Sequence, residues 1–307
     1  MAAFSAADLP DMSGKTVIVT GANSGIGRAA AAAFAHAGAR VVLAVRDPAK
    51  GHATASAIGA AAATEGGAPE VRELDLARLD SIRAFATAWQ GEIDLLINNA
   101  GVMAPPLTRT ADGFELQFGT NHLGHFALTN LLLPNVTRRI VTVSSGMHQI
   151  GRIDFADLNW ERRRYKPWRA YGQSKLANLL FTSELQRRLT QAGSPVRATA
   201  AHPGYAATNL QSSAASGLQR FAMNQLGNRL IAQDVAGGAL PTLYAAVADL
   251  PGDSFAGPSI LGLRGAPKLV ARSAAARDAT VARRLWSVSE ELTGVSFPDI
   301  QSQNQTD

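Results

Sequence analysis

Tyr171 and Lys175, four residues apart in the run Tyr171-Gly172-Gln173-Ser174-Lys175, share one face if that run is helical. An ammonium beside a phenol favours the phenolate. The pair would therefore bring the tyrosine down from its ordinary pKa of about 10 towards the range where it exchanges protons at neutral pH. A second chemical signal stands near the N-terminal end, where Thr20-Gly21-Ala22-Asn23-Ser24-Gly25-Ile26-Gly27 follows an apolar run and precedes an alanine-rich one. A glycine-rich turn between strand and helix lets the backbone approach a pyrophosphate, and the helix N-terminus adds free N–H donors and a positive dipole end. Together the two signals suit a reaction in which a dinucleotide carries hydride and a side chain carries a proton.

Both signals need a scaffold, and the apolar pattern predicts one. Short valine- and isoleucine-rich runs at 16–20, 40–44, 71–74, 93–97, 139–143 and 196–200 read as buried strands. Helical stretches at 25–37, 79–89, 113–133 and 170–189 lie between them, with Gly38 and Gly193 as C-terminal stops. The expected fold is α/β, a doubly wound parallel sheet in a single domain spanning 1–307, with its core at 14–250. A lid is expected at about 205–232, where Phe221, Met223, Leu226, Leu230 and Ile231 have the spacing of a helix packed on core. A helix at 234–248, a C-terminal helix at about 275–292 and a frayed polar tail complete the chain.

The end of the second strand distinguishes the two nicotinamide dinucleotides. An acidic residue there bonds the ribose 2′-hydroxyl, whereas arginine receives a 2′-phosphate. The stretch reads Leu43-Ala44-Val45-Arg46-Asp47, so Arg46, with Arg28 just inside the first helix, predicts a cationic clamp that favours NADP. Asp47 is the residue that would instead serve NAD. Asp75 and Leu76 end the third strand, where a short carboxylate can accept from the adenine amino group. Asn98-Asn99-Ala100-Gly101 ends the fourth.

In this order these motifs resemble the short-chain dehydrogenase/reductase family, and the resemblance covers most of the chain. It implies a Rossmann-type fold and reversible interconversion of an alcohol and a carbonyl. Carried over by position, the family's catalytic serine falls on Ser145 in Val143-Ser144-Ser145-Gly146, its tyrosine on Tyr171, its lysine on Lys175 and its asparagine on Asn121. Ser145 would donate to the substrate oxygen as charge develops. Lys175 would also bond the nicotinamide ribose, and Asn121 would hold a water linking Lys175 to solvent. Cofactor contacts are implied for Gly21, Asn23, Ser24, Gly25, Ile26, Gly27, Asn99, Ala100 and Gly101. The loop His202-Pro203-Gly204-Tyr205-Ala206-Ala207-Thr208 adds Pro203, Gly204, Tyr205 and Thr208 against the nicotinamide.

Ser145 and Tyr171 stand 26 positions apart, about twice the spacing in the family's shortest members. The extra stretch resembles the long loop of the retinol-dehydrogenase-like and protochlorophyllide-reductase-like branches, which take large apolar substrates; the mainly apolar and aromatic surface of lid and loop predicts a medium-sized apolar substrate here. Its Phe155, Leu158, Trp160, Tyr165 and Trp168 either line an entrance or anchor the loop, while Arg162, Arg163 and Arg164 are expected to face water. Met147 and His148 either touch substrate or pack.

The 307 residues include no cysteine, which excludes disulfides, thiolate metal sites and a cysteine nucleophile. His122 and His125 have no third ligand near them, so no metal is expected. A net charge of +5 carried by scattered arginine pairs speaks against nucleic acid, and no apolar stretch approaches the roughly 18 residues of a membrane span. A small-molecule substrate, a cytoplasmic location and a homo-oligomer assembled through the helices near Gly113 and Ala170 are the expectations. A non-catalytic NADP sensor and a reductase of activated carbon–carbon double bonds are the alternatives.

Overall fold

The computed structural model describes residues 4–61, 68–204 and 234–300. One sheet holds eight strands: β1 (Thr16–Thr20), β2 (Arg40–Val45), β3 (Glu70–Glu73), β4 (Ile93–Asn98), β5 (Val136–Val143), β6 (Arg197–Ala201), β7 (Phe255–Ile260) and β8 (Arg264–Leu269). Their spatial order is β3-β2-β1-β4-β5-β6-β7-β8. The first seven are parallel and β8 returns antiparallel to β7. The strand order reverses between β1 and β4, which opens a crevice at their carboxyl ends.

All six expected strands are present within a few residues. The sheet does not stop near 250, however, since β7 and β8 extend it to Leu269. Pro258 and Gly257 in β7 and Gly265 and Pro267 in β8 lower strand propensity, and proline is tolerated because β8 is the edge. Helix α2 (Pro48–Ala61) was likewise not among the expected elements. It starts where Asp47 accepts from the Lys50 N–H at 3.1 Å and Pro48 presets the first turn.

In β1 the side chains of Val17 and Val19 join one core layer and Ile18 joins the other, as alternation along a strand covered on both faces requires. The first layer packs on α1 (Gly25–His36) and α7 (Val235–Val247). The second packs on α3 (Leu79–Thr87), α5 (Gly124–Leu132) and α6 (Pro167–Gln191).

The expected single helix over 113–133 is interrupted. A short α4 (Leu116–Phe118) opens into a wide turn, Gly119–Leu123, in which the Gly124 N–H reaches back five residues to the Gly119 carbonyl, and α5 follows. Such π-type turns are uncommon and concentrate at functional sites.

The C-terminal helix α8 (Ala279–Thr293) lies across α5 and α6. Its Trp286 meets Phe126 edge-on at 4.8 Å and stacks on Phe181 at 5.7 Å. Ser289 Oγ, which donates to Leu285 O, accepts from His122 Nε2 at 2.9 Å. The chain's own C-terminal helix thus packs on residues of both α5 and α6. The expected lid at 205–232, with Phe221, Met223, Leu226, Leu230 and Ile231, lies outside the described residues.

Candidate active site

The glycine turn is built by close approach. A Cβ on Gly21, whose φ is +66°, would stand 2.9 Å from Ala100 Cα. One on Gly27 would strike Gly21 O at 2.7 Å. The absence of side chains here is a packing requirement before it is a binding one.

Thr20 Oγ1 receives the N–H groups of Asn99 and Ala100, each at 2.9 Å, and Asn99 Nδ2 donates to Thr20 O at 2.8 Å. His125 Nδ1 faces the Asn121 carbonyl at 3.1 Å, so that nitrogen carries the proton and Nε2 accepts from Thr20 Oγ1 at 2.9 Å. Through this one hydroxyl the glycine turn, the end of β4 and the wide turn carrying Asn121 are locked together. The two histidines considered as metal ligands thus serve separate partners, His125 in this lock and His122 on Ser289.

A cavity of about 430 Å³ runs along the crevice. Gly21, Asn23, Ser24, Gly25, Ile26 and Gly27 line it at one end, followed by Arg46, Asp75, Leu76, Asn99, Ala100 and Gly101, with Tyr171, Lys175 and Pro203 at the other. Fifteen-odd positions far apart in the chain therefore meet in one groove of ordinary ligand-site size.

Four expected contacts, Arg28, Gly204, Asn121 and Ser145, are not among the lining residues; Ser144, not Ser145, lines the groove. Arg28 is exposed beyond the turn, because the helix carries it past the groove. Gly204 packs instead against the β7–β8 turn, where a Cβ would strike Leu263 O. Asn121 is buried behind Gly101. Tyr205 and Thr208 lie outside the described residues.

Lys50 lines the groove and was not singled out from the sequence. It lies on α2, the helix missed there, although Asp47-Pro48 carried a start signal. Its ammonium sits 2.9 Å from Asp47 Oδ2. That ion pair and the cap bond to the Lys50 N–H hold Asp47 below the usual carboxylate range. Thr120 also lines the groove, its buried hydroxyl without a hydrogen-bond partner.

At the catalytic end α6 presents Trp168, Tyr171 and Lys175 on one face, with Pro167 opening the helix. Lys175 Nζ donates to Val143 O at 3.0 Å, Ser144 Oγ donates to Lys175 O at 2.8 Å, and the Ser145 hydroxyl stands beside the Tyr171 phenol and acts to lower its pKa. Asn121 is tied to the backbone of Val102, accepting from its N–H at 2.8 Å and donating to its carbonyl at 3.0 Å. Its amide also reaches Ser174 Oγ at 3.0 Å. The four residues are gathered as the resemblance implied, with Asn121 bracing the end of β4.

One expectation is reversed. Sequence reasoning had Lys175 lowering the Tyr171 pKa, yet desolvation pushes the phenol up to about 12, with the Ser145 hydroxyl pulling the other way. Lys175 itself is brought down to about 8 by burial. Its ammonium lies 5.6 Å from the tyrosine ring centre and is spent on Val143 O, so the cost of desolvating each group exceeds the benefit of their proximity.

The long loop between Ser145 and Tyr171 is mostly anchored. Leu158 and Trp160 are buried. Arg284 sits 4.1 Å over the Phe155 ring. The Tyr165 hydroxyl donates to Glu115 Oε1 at 2.8 Å, and the same carboxylate caps α4 through the Gln117 and Phe118 N–H groups. Arg163 does not face water as expected. It stacks 3.7 Å from the Trp160 ring centre and bonds Asp154, the Asp157 carbonyl and Gln173 Oε1, because the loop folds back over it. Arg162 and Arg164 are exposed. His148 is buried, with Nδ1 donating to Ser145 O at 2.7 Å and Nε2 accepting from the Ser273 N–H at 3.3 Å.

Comparison with known proteins agrees with this arrangement. The short chain dehydrogenase family profile matches residues 15–219. Human retinol dehydrogenase 13 is 46% identical over 94% of this chain and 88% of its own. Mouse retinol dehydrogenase 14 is 42% identical over 92% and 87%. Among solved structures, an uncharacterized protein from Mycobacterium paratuberculosis superposes with a TM-score of 0.83 at 55% identity, covering 97% of this chain and all of the other. A short chain dehydrogenase from Shigella flexneri, solved with NADP, shares the fold at a TM-score of 0.61 and 23% identity, over 81% and 98% of the two chains.

Proposed function

Because this chain belongs to the short-chain dehydrogenase family, we propose that it is an NADP(H)-dependent oxidoreductase acting on a medium-sized apolar alcohol or carbonyl, with Tyr171 as proton donor and acceptor. Oxidoreduction between alcohol and carbonyl is the family's chemistry. The finer reading rests on one observation: a single groove joins the glycine turn to Tyr171 and Lys175.

In that groove the N-terminus of α1 would hold a pyrophosphate, Asp75 and Leu76 would hold the adenine, and Arg46 with Lys50 at the N-terminus of α2 would hold a 2′-phosphate. Asp47 is engaged by the Lys50 ammonium and N–H. When bound, the nicotinamide supplies or accepts the hydride. A phenol held protonated is suited to give its proton to a carbonyl oxygen, and Ser145 donates a second hydrogen bond to that oxygen as charge builds. Lys175 keeps positive charge near the phenolate that results, and Asn121 fixes the backbone at Val102 against which the site is built.

The relatives are named retinol dehydrogenases, and retinol is an apolar alcohol of the proposed class. The reading is tested by calorimetric titration with NADPH and NADH. NADPH is expected to bind at least tenfold more tightly, and Arg46→Ala to lose most of that difference while leaving NADH binding nearly as it was. Preference for NADH would overturn the cofactor assignment.

A further inference from the structure

Four tryptophans occur in the chain, and three of them are buried: Trp89 and Trp160 at 5% exposure and Trp286 at 1%. Trp168 is 43% exposed. It lies in the first turn of α6, one turn before Tyr171, and the two rings stand nearly perpendicular, with centres 6.3 Å apart and an interplanar angle of 86°. The loop's other aromatic residues, Phe155, Trp160 and Tyr165, are fixed by partners within the protein, so Trp168 alone of the loop's aromatic residues offers its ring to solvent beside the proton-transfer group. Its neighbour Arg169 donates to Ile150 O at 3.2 Å. That bond draws the turn after Ser145 towards the same corner, where Ile150 is 41% exposed.

We propose that Trp168 is a specificity-determining residue, a flat apolar wall that selects substrates carrying an aromatic or otherwise planar group next to the reacting carbon. The inference rests on the oxidoreductase reading and deepens it by naming the substrate class. An indole left exposed forgoes the gain of burial unless something covers it, and a planar partner gains more from it than a puckered one of equal size, because stacked and edge-on ring contacts add to area burial. A group seated on Trp168 would lie beside the Tyr171 ring, whose phenol lines the groove. The i, i+3 spacing on a well-packed helix holds wall and acid in fixed relation.

The test compares benzyl alcohol with cyclohexylmethanol, which share a carbon skeleton and differ in planarity, in oxidation by NADP⁺. The wild-type protein should favour benzyl alcohol. Trp168→Ala should raise the KM for benzyl alcohol about tenfold and that for cyclohexylmethanol less than twofold, the effect on kcat being far smaller, and Trp168→Phe should restore the preference. A second readout does not depend on turnover. Acrylamide quenching of the wild-type protein reports chiefly on Trp168, as a Trp168→Phe control should show, and benzyl alcohol with NADP⁺ present should shield it where cyclohexylmethanol does not. Equal changes for both alcohols in Trp168→Ala, or quenching that neither alcohol alters, would overturn the wall. Shielding by benzyl alcohol with no oxidation of either alcohol would support the wall and count against the oxidoreductase reading.

Discussion

At Tyr171 and Lys175 the chemistry depends on which group holds a proton. Burial holds the phenol near 12 and the ammonium near 8, so at pH 7 both are protonated, the form suited to delivering a proton to a carbonyl. As pH rises through about 8, Lys175 loses its charge and no longer offsets the phenolate formed in the reaction. With saturating NADPH, kcat for carbonyl reduction should therefore hold steady up to about pH 7.5 and fall above it, as a pH–rate profile would record. A profile flat to pH 10 would remove Lys175 from this role. The pairing of Tyr171 with Lys175 was legible in the family resemblance, and the i, i+4 spacing that puts both on one helix face agreed with it. The direction of the tyrosine shift was not, since it depends on how much water the fold removes, and that quantity appears only when Val143, Ser144 and Ser145 close over α6.

Among the elements, those with regular chemistry were the readable ones. Runs such as Val17-Ile18-Val19 and Leu95-Leu96-Ile97 fit only a strand covered on both faces, and they fell where expected. The β7–β8 pair was hidden by glycine and proline, and α2 by an alanine- and glycine-rich composition with little amphipathic contrast. Missing α2 meant missing Lys50, so an unread helix cost a candidate site residue. The role of α8 was equally invisible, because an amphipathic helix does not announce which face of the domain it will cover. Its Trp286 fills a ring cluster with Phe126, Phe181 and Phe297. Trp286→Ala should cost about 3–5 kcal/mol of stability, measured by urea unfolding, with the NADPH affinity of the remaining folded protein little changed. A loss below 1 kcal/mol would mean that α8 contributes little to the fold.

Across the whole molecule, buried neutral imidazoles tie stability to pH. Burial brings His122 down to about 3, and His125 and His202 to about 4, from an ordinary value near 6.5. The unfolded chain takes up these protons as pH drops below 6.5 and the folded one does not, so their contribution is intact above 6.5 and is lost as pH falls towards 4. Each group changes stability by about 1.4 kcal/mol per pH unit in that window, and three together by about 4. Burial lowers His148 as well, and Glu115, whose buried carboxyl is held above the usual range, opposes these imidazoles as one group against four. Unfolding midpoints in urea should thus drop steeply between pH 6 and pH 5; equal midpoints at the two values would show that these rings are not buried neutral. The most direct test of the central claim is NADPH-dependent reduction of an apolar aldehyde, followed at 340 nm, by the wild-type protein and Tyr171→Phe, with NADPH binding measured on both. Turnover in the variant should fall by about 10³-fold while NADPH affinity stays within a few-fold. Wild-type turnover in Tyr171→Phe would contradict the assignment of this residue as the proton donor.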